Sequence, residues 1–127
     1  MTSQSNSPLG PNSCDGKEAL ATAVALFNQQ DFYPCHDILE AIWHEAAPAE
    51  RNFYQGLLQV AVGCYHLQRG NTNGAKMLLG EGIYRLRQYP EDYHHLDLGH
   101  LLVGAENLLL ALQTNAPLPP YPRLRYY

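Results

Sequence analysis

PAERNFYQGLLQVAVGCYHLQR, residues 48–69, opens on a proline and runs up to Gly70 without meeting a second one. Proline suits a first helical turn, where its missing N–H costs nothing, and a glycine beyond the last turn can take the left-handed conformation that closes a helix. Between them Phe53, Tyr54, Leu57, Leu58, Val60, Ala61, Val62, Cys64 and Tyr65 leave little surface for water. A helix that is apolar nearly all round belongs in the middle of a bundle. Its polar residues Arg51, Gln55, Gln59 and His66 fall within an arc of roughly 80° and so form one stripe.

Upstream, Cys35, Ile38, Leu39 and Ile42 share a face, and Pro34 again fits a first turn, which predicts a helix from about Phe32 to Ala46. A helix before it is predicted from Asp15, with Glu18 completing a capping box and Leu20, Ala23, Val24 and Phe27 facing the core. Downstream, Ala75, Leu78, Leu79, Ile83 and Leu86 stripe a helix over 73–89. Gly74, Gly80 and Gly82 lower its propensity and point instead to close backbone packing. Behind Asp97, a suitable cap, Leu98, Leu101, Leu102, Ala105, Leu108, Leu109 and Leu112 repeat at helical intervals.

No segment alternates with a period of two, so the expected fold class is all-α: one bundle of about five helices over residues 15–114, made of packed helical hairpins. Residues 1–14, rich in Ser, Asn, Pro and Gly, are expected to be a disordered tail. Residues 115–127, whose proline spacing forbids helix, are expected to be an extended Pro- and Tyr-rich tail docking on or near the bundle. FNQQDFYPCHDILEAIW overlays LQRGNTNGAKMLLGEGI with a shift of 40 residues, apolar positions matching around a turn, which suggests paired hairpins.

At 127 residues the chain can bury roughly two-thirds of its unfolded surface without a staple. With 12 acidic against 8 basic residues, its net charge of −4 lacks the basic footprint of a nucleic-acid binder. Cys14, Cys35 and Cys64 are odd in number and show no CxxC spacing, which argues against a disulfide framework or a cysteine zinc site and for a reducing cytoplasm. The opening MTSQSNSPLGPNS lacks the basic start and apolar core of a signal peptide, and no apolar run approaches the ~20 residues that span a bilayer. A soluble cytoplasmic protein with neither a membrane nor a nucleic-acid partner is expected.

Chemistry is expected on two stripes. His36 and Glu40 lie one turn apart, with Trp43 on the same face, Asp37 adjacent and His44 one turn past Glu40. If this helix packs antiparallel to the central one across AAPA, these groups and the Arg51, Gln55, Gln59, His66 stripe would converge in a largely apolar interior. Such a pocket would bind a small polar or anionic ligand, with Arg51 as its charge anchor. Imidazole and carboxylate from facing helices also build metal sites, which makes His36, Glu40 and His66, with Asp37 or His44, candidate ligands of a divalent ion in a metal-dependent hydrolase. The same residues would equally serve packing alone, Arg51 pairing with Glu40 or Asp37, the glutamines bridging helices and His66 filling a core site. A third reading is a helical module that engages a protein partner through its hairpins and tail. His94, His95 and His100 offer a second, weaker metal-ligand cluster beside the start of the last helix, although linker histidines are more often just solvated, and Cys35 reads as inert core.

The motifs F-N-x-x-x-F-x-x-x-H-[ED]-x-L-E-x-x-W, R-x-x-x-Q-G-L-x-Q-x-A and H-x-x-R-G-N-x-x-G-A-x-x-L-L stand here as Phe27 to Trp43, Arg51 to Ala61 and His66 to Leu79. In these the chain resembles the domain of unknown function 309 family over about residues 20–112, and the continuation PLPPYPRL is similar too. The resemblance implies an all-helical bundle, marks His36, Glu40, Trp43, Arg51, Gln55, Gln59 and His66 as motif positions, and carries the family's description as predicted metal-dependent hydrolases. Asp37 departs from the glutamate usual beside the histidine, shortening the reach of that carboxylate.

Overall fold

The computed structural model describes residues 14–127, with side chains from residue 16 on. Five α-helices follow one another: α1 (Cys14–Asn28), α2 (Phe32–Glu45), α3 (Pro48–Gln68), α4 (Thr72–Leu86) and α5 (Leu98–Thr114). Among the described residues there is no strand, only one isolated antiparallel bridge between Leu96 and Tyr126. The expected tail over 1–14 lies outside the described residues except for Cys14, which already belongs to α1. Asp15 therefore sits inside the first turn rather than ahead of it.

The central helix is α3, with Phe53, Tyr54, Val60, Ala61 and Cys64 wholly buried. Pro48 occupies its first turn, and Gly70, at φ 79°, takes the left-handed conformation just beyond its end. On one side α3 lies very close to α4. A Cβ on Gly82 would stand 2.8 Å from the Gly56 carbonyl oxygen and 3.0 Å from the Val60 nitrogen, so only glycine permits that crossing. Gly80, by contrast, faces open space.

The 40-residue echo is a repeated turn. Gln30 and Gly70 both have positive φ, 65° and 79°. Asp31 N donates to Leu26 O at 2.9 Å, and Asn71 N donates to His66 O at 2.8 Å. Each turn thus closes one helix with a left-handed residue and starts the next, joining α1 to α2 as it joins α3 to α4, and Gln68 Nε2 ties the two turns by donating to Gln30 O. Gln30 pays a steric cost that Gly70 avoids, so Gln30→Gly should raise stability by roughly 0.5–1 kcal/mol. Urea unfolding of the variant checks this; an unchanged or lowered midpoint would contradict it.

Two boundaries differ from expectation for local reasons. Asn71 caps α4, its side chain accepting from Gly74 N, so α4 starts at Thr72. It ends at Leu86, short of the expected residue 89, because Pro90 disfavours helix in the residue before it. Tyr89 turns back to donate its hydroxyl to Ala49 O at 3.1 Å and to pack on Phe53. Asp97 caps α5 as its position suggested, accepting from His100 N at 2.9 Å.

Residues 116–127 carry no helix. Leu124 is buried, and Asn28 holds its backbone from both sides, Nδ2 donating to Leu124 O and Oδ1 accepting from Leu124 N at 2.8 Å. Asp97 N donates to Arg125 O and Tyr127 N to His95 O, which joins this segment to the short 3-10 turn Tyr93–His95 ahead of α5. Among the described residues no helix is long and apolar enough to cross a membrane.

Candidate functional site

Spacings of four and three residues place His36, Glu40 and Trp43 along one face of α2. His36, Asp37 and Glu40 each bring a ligand atom within 4.8 Å of the others. His36 Nδ1 lies 3.3 Å from Asp37 Oδ1 yet is buried without a hydrogen-bond partner. Further along the same face Trp43 Nε1 is likewise buried and unpartnered. The guanidinium of Arg51, on the first turn of α3, stacks over Trp43 at 5.3 Å from the ring centroid. Its hydrogen bonds are long ones, to Ala46 O at 3.4 Å and His44 O at 3.3 Å, the carbonyls left over where α2 ends.

The two expected stripes therefore meet only in part. Arg51 joins Trp43 but pairs with neither Glu40 nor Asp37. Gln55 is half-buried. Gln59 turns the other way, toward α4, where Nε2 donates to Glu81 Oε1 at 3.0 Å and Oε1 accepts from Arg85 Nε at 3.0 Å; Arg85 also reaches Asn52 Oδ1. The 80° arc is wide enough to span both sides of the helix ridge, and its far edge faces the glycine-lined contact with α4. His66 does not join His36 and Glu40 either: it lies against Asn71 at the α3–α4 turn. Two tyrosine rings stand between the histidines, in successive contacts from His36 to Tyr33, Tyr65 and His66. His44 is exposed and packs edge-on to Trp43.

The group lies at the surface rather than in an apolar interior, since Asp37, Glu40 and Arg51 are exposed. Grooves of about 420 Å³ beside Asn28 and Pro119 to Arg123, and of about 360 Å³ along Met77 to Arg85 of α4, lie away from this group. Burial pushes the Cys35 thiol up to about 12 and raises Cys64 further, which makes both inert in the core, as expected for Cys35.

One histidine read as solvated is not. His94 Nε2 meets Glu50 Oε1 at 2.8 Å, with both side chains about one-fifth exposed. Its ring packs against Phe53, Tyr54 and Tyr93. Burial first, and the Glu50 charge second, raise the Tyr54 phenol well above its ordinary value. The sequence held one sign of this contact: Glu50 is an acid in the first turn of a helix otherwise committed to the core.

Residues 20–78 match the sequence model of a family described as a domain of unknown function, DUF309. Over this stretch the chain is similar to DUF309 domains. The matched stretch holds His36, Glu40, Trp43, Arg51, Gln55, Gln59, His66 and the repeated turn, and it stops within α4 one residue before the last motif leucine, Leu79, short of the expected limit at 112. The chain is 39% identical over 72 residues to the uncharacterized protein YpuF of Bacillus subtilis (strain 168), covering 56% of this chain and 41% of that one. It is 26% identical over 110 residues to an uncharacterized protein of Aquifex aeolicus (strain VF5), covering 86% of this chain and 32% of that one. The chain thus spans about two-fifths and one-third of the length of these two relatives.

Proposed function

We propose that the outer face of α2 is a divalent-cation site formed by His36, Asp37 and Glu40, beside which a small anionic ligand is anchored by Arg51 and the Trp43 indole N–H. The observation that carries this reading is the convergence of three donor atoms within 4.8 Å around a buried, unpartnered imidazole nitrogen. A buried polar atom without a partner costs free energy, and an ion on His36 Nδ1 would remove that cost. Two carboxylates balance the charge of a divalent ion, so the guanidinium leaves the surroundings positive and suited to an anion. Glu40 and Trp43 are three residues apart, ~4.5 Å along the helix, so one small ligand can touch both ends.

Three protein donors leave coordination positions open, the arrangement of catalytic rather than structural ions, and this favours metal-dependent hydrolysis as the second reading. An ion bound there would supply Lewis acidity and an activated water. Arg51 and Trp43 would orient the substrate. A cytoplasmic setting accords with the buried, unpaired thiols of Cys35 and Cys64.

Untagged protein equilibrated with zinc or manganese and dialysed should retain about one equivalent of metal, and His36→Ala, folded to the same helical content, should retain none. Equal and negligible metal in both proteins would end the reading.

A further inference from the structure

Resting on that cation site, a neighbouring surface narrows what the anion is. Tyr33 precedes His36 by three residues on the same face of α2 and is 52% exposed, its ring 5.5 Å from that of His36. It also contacts Tyr65 of α3 at 5.2 Å, and Arg69 lies over Tyr65 at 5.9 Å. The face thus reads in order as an aromatic platform, a three-donor cation group and an indole N–H with a guanidinium over it. Tyr33 to His36 is ~4.5 Å along the axis and His36 to Trp43 ~10 Å.

We propose that the ligand is a nucleoside phosphate, its base stacked on Tyr33 and its phosphate directed at the His36, Asp37, Glu40 group. A planar base uses a phenol face that water wets poorly, a ribose spans the step from platform to ion, and the phosphate meets the ion, with the Arg51 guanidinium beyond it keeping the surroundings positive. Inorganic phosphate or a sugar phosphate would leave the platform idle. A polynucleotide is disfavoured by the net charge of −4.

Trp43 is the only tryptophan in the chain, so its fluorescence reports the site directly. The full chain is titrated with Mn²⁺, a paramagnetic quencher, and then with adenosine 5′-monophosphate, ribose 5-phosphate or inorganic phosphate, alongside Tyr33→Ala and Tyr33→Phe. Mn²⁺ should quench all three proteins alike. The adenosine compound should bind wild type and Tyr33→Phe roughly tenfold or more tightly than ribose 5-phosphate does, an advantage lost in Tyr33→Ala. Equal binding of the two compounds to wild type, or an advantage that survives Tyr33→Ala, overturns the nucleoside assignment and leaves the cation site standing. Failure of Mn²⁺ to quench wild type overturns both.

Discussion

Gly82→Ala should destabilise the bundle by about 3 kcal/mol and lower its melting temperature by roughly 10 °C. The added methyl would sit 2.8 Å from the Gly56 carbonyl oxygen, 2.8 Å from Val60 Cγ2 and 3.0 Å from the Val60 nitrogen. Two of these three neighbours are backbone and cannot rotate away. Relief requires α3 and α4 to move apart, which would loosen the buried packing of Val60, Leu79 and Ile83 and stretch the hydrogen bonds from Gln59 to Glu81 and Arg85. Gly80→Ala, two residues away on the same helix but facing open space, should do the opposite and stabilise by roughly 0.5–1 kcal/mol, because alanine loses less conformational entropy in a helix. Thermal and urea melts of the two variants give a paired comparison. Equal effects would mean that helix propensity, not interhelical approach, governs both positions.

Glu50→Ala should cost about 2 kcal/mol, well beyond the effect of removing an exposed carboxylate. Glu50 and His94 are only about one-fifth exposed, so loss of either leaves its partner partly desolvated and unpaired. The turn they hold is strained: His94 and His95 have φ of 52° and 62°, a conformation unfavourable for residues with a Cβ. That strain is offset by the Glu50 contact and by the 2.7 Å hydrogen bond from Tyr127 N to His95 O. Glu106 provides the control, because its pair with Arg87 is exposed, and Glu106→Ala should stay within ~0.5 kcal/mol of wild type. A double-mutant cycle with His94→Ala should show coupling above ~1 kcal/mol. The phenols of Tyr89 and Tyr93 are raised first by burial and then by the Glu50 charge, so Glu50→Ala should let both ionise at lower pH while burial keeps them above the ordinary range. An absorbance titration reads this, and unchanged tyrosine ionisation together with unchanged stability would remove Glu50 from its assigned place.

Much of the candidate site could be read along the chain, and the remainder could not. His36, Glu40 and Trp43 share a face because helical periodicity alone puts them there, and Asp37 comes with them by adjacency. Arg51 reaches Trp43 because a short connection forces α3 back along α2. Gln59 and His66 were grouped with Arg51 by the same periodicity, but a stripe on a central helix has neighbours on both flanks. Nothing in their spacing says that Gln59 meets Glu81 and Arg85, or that His66 is taken up by Asn71. His94 looked like linker because its sequence context is polar. It is half-buried because the turn around it folds onto Phe53, 41 residues earlier in the chain.

The sequence by itself determined the five helices and the turn repeated at a 40-residue interval. These depend on contacts between residues a few positions apart, where apolar period, proline, glycine and capping side chains act directly. Only the tertiary structure decided how each helix is rotated about its axis and how near its neighbour stands, and with that which partner each polar side chain meets. The physical reason lies in the packing of α3 on α4: glycines let the two backbones almost touch, and that approach draws Gln59 to one side of α3 and leaves Arg51 with the α2 face on the other.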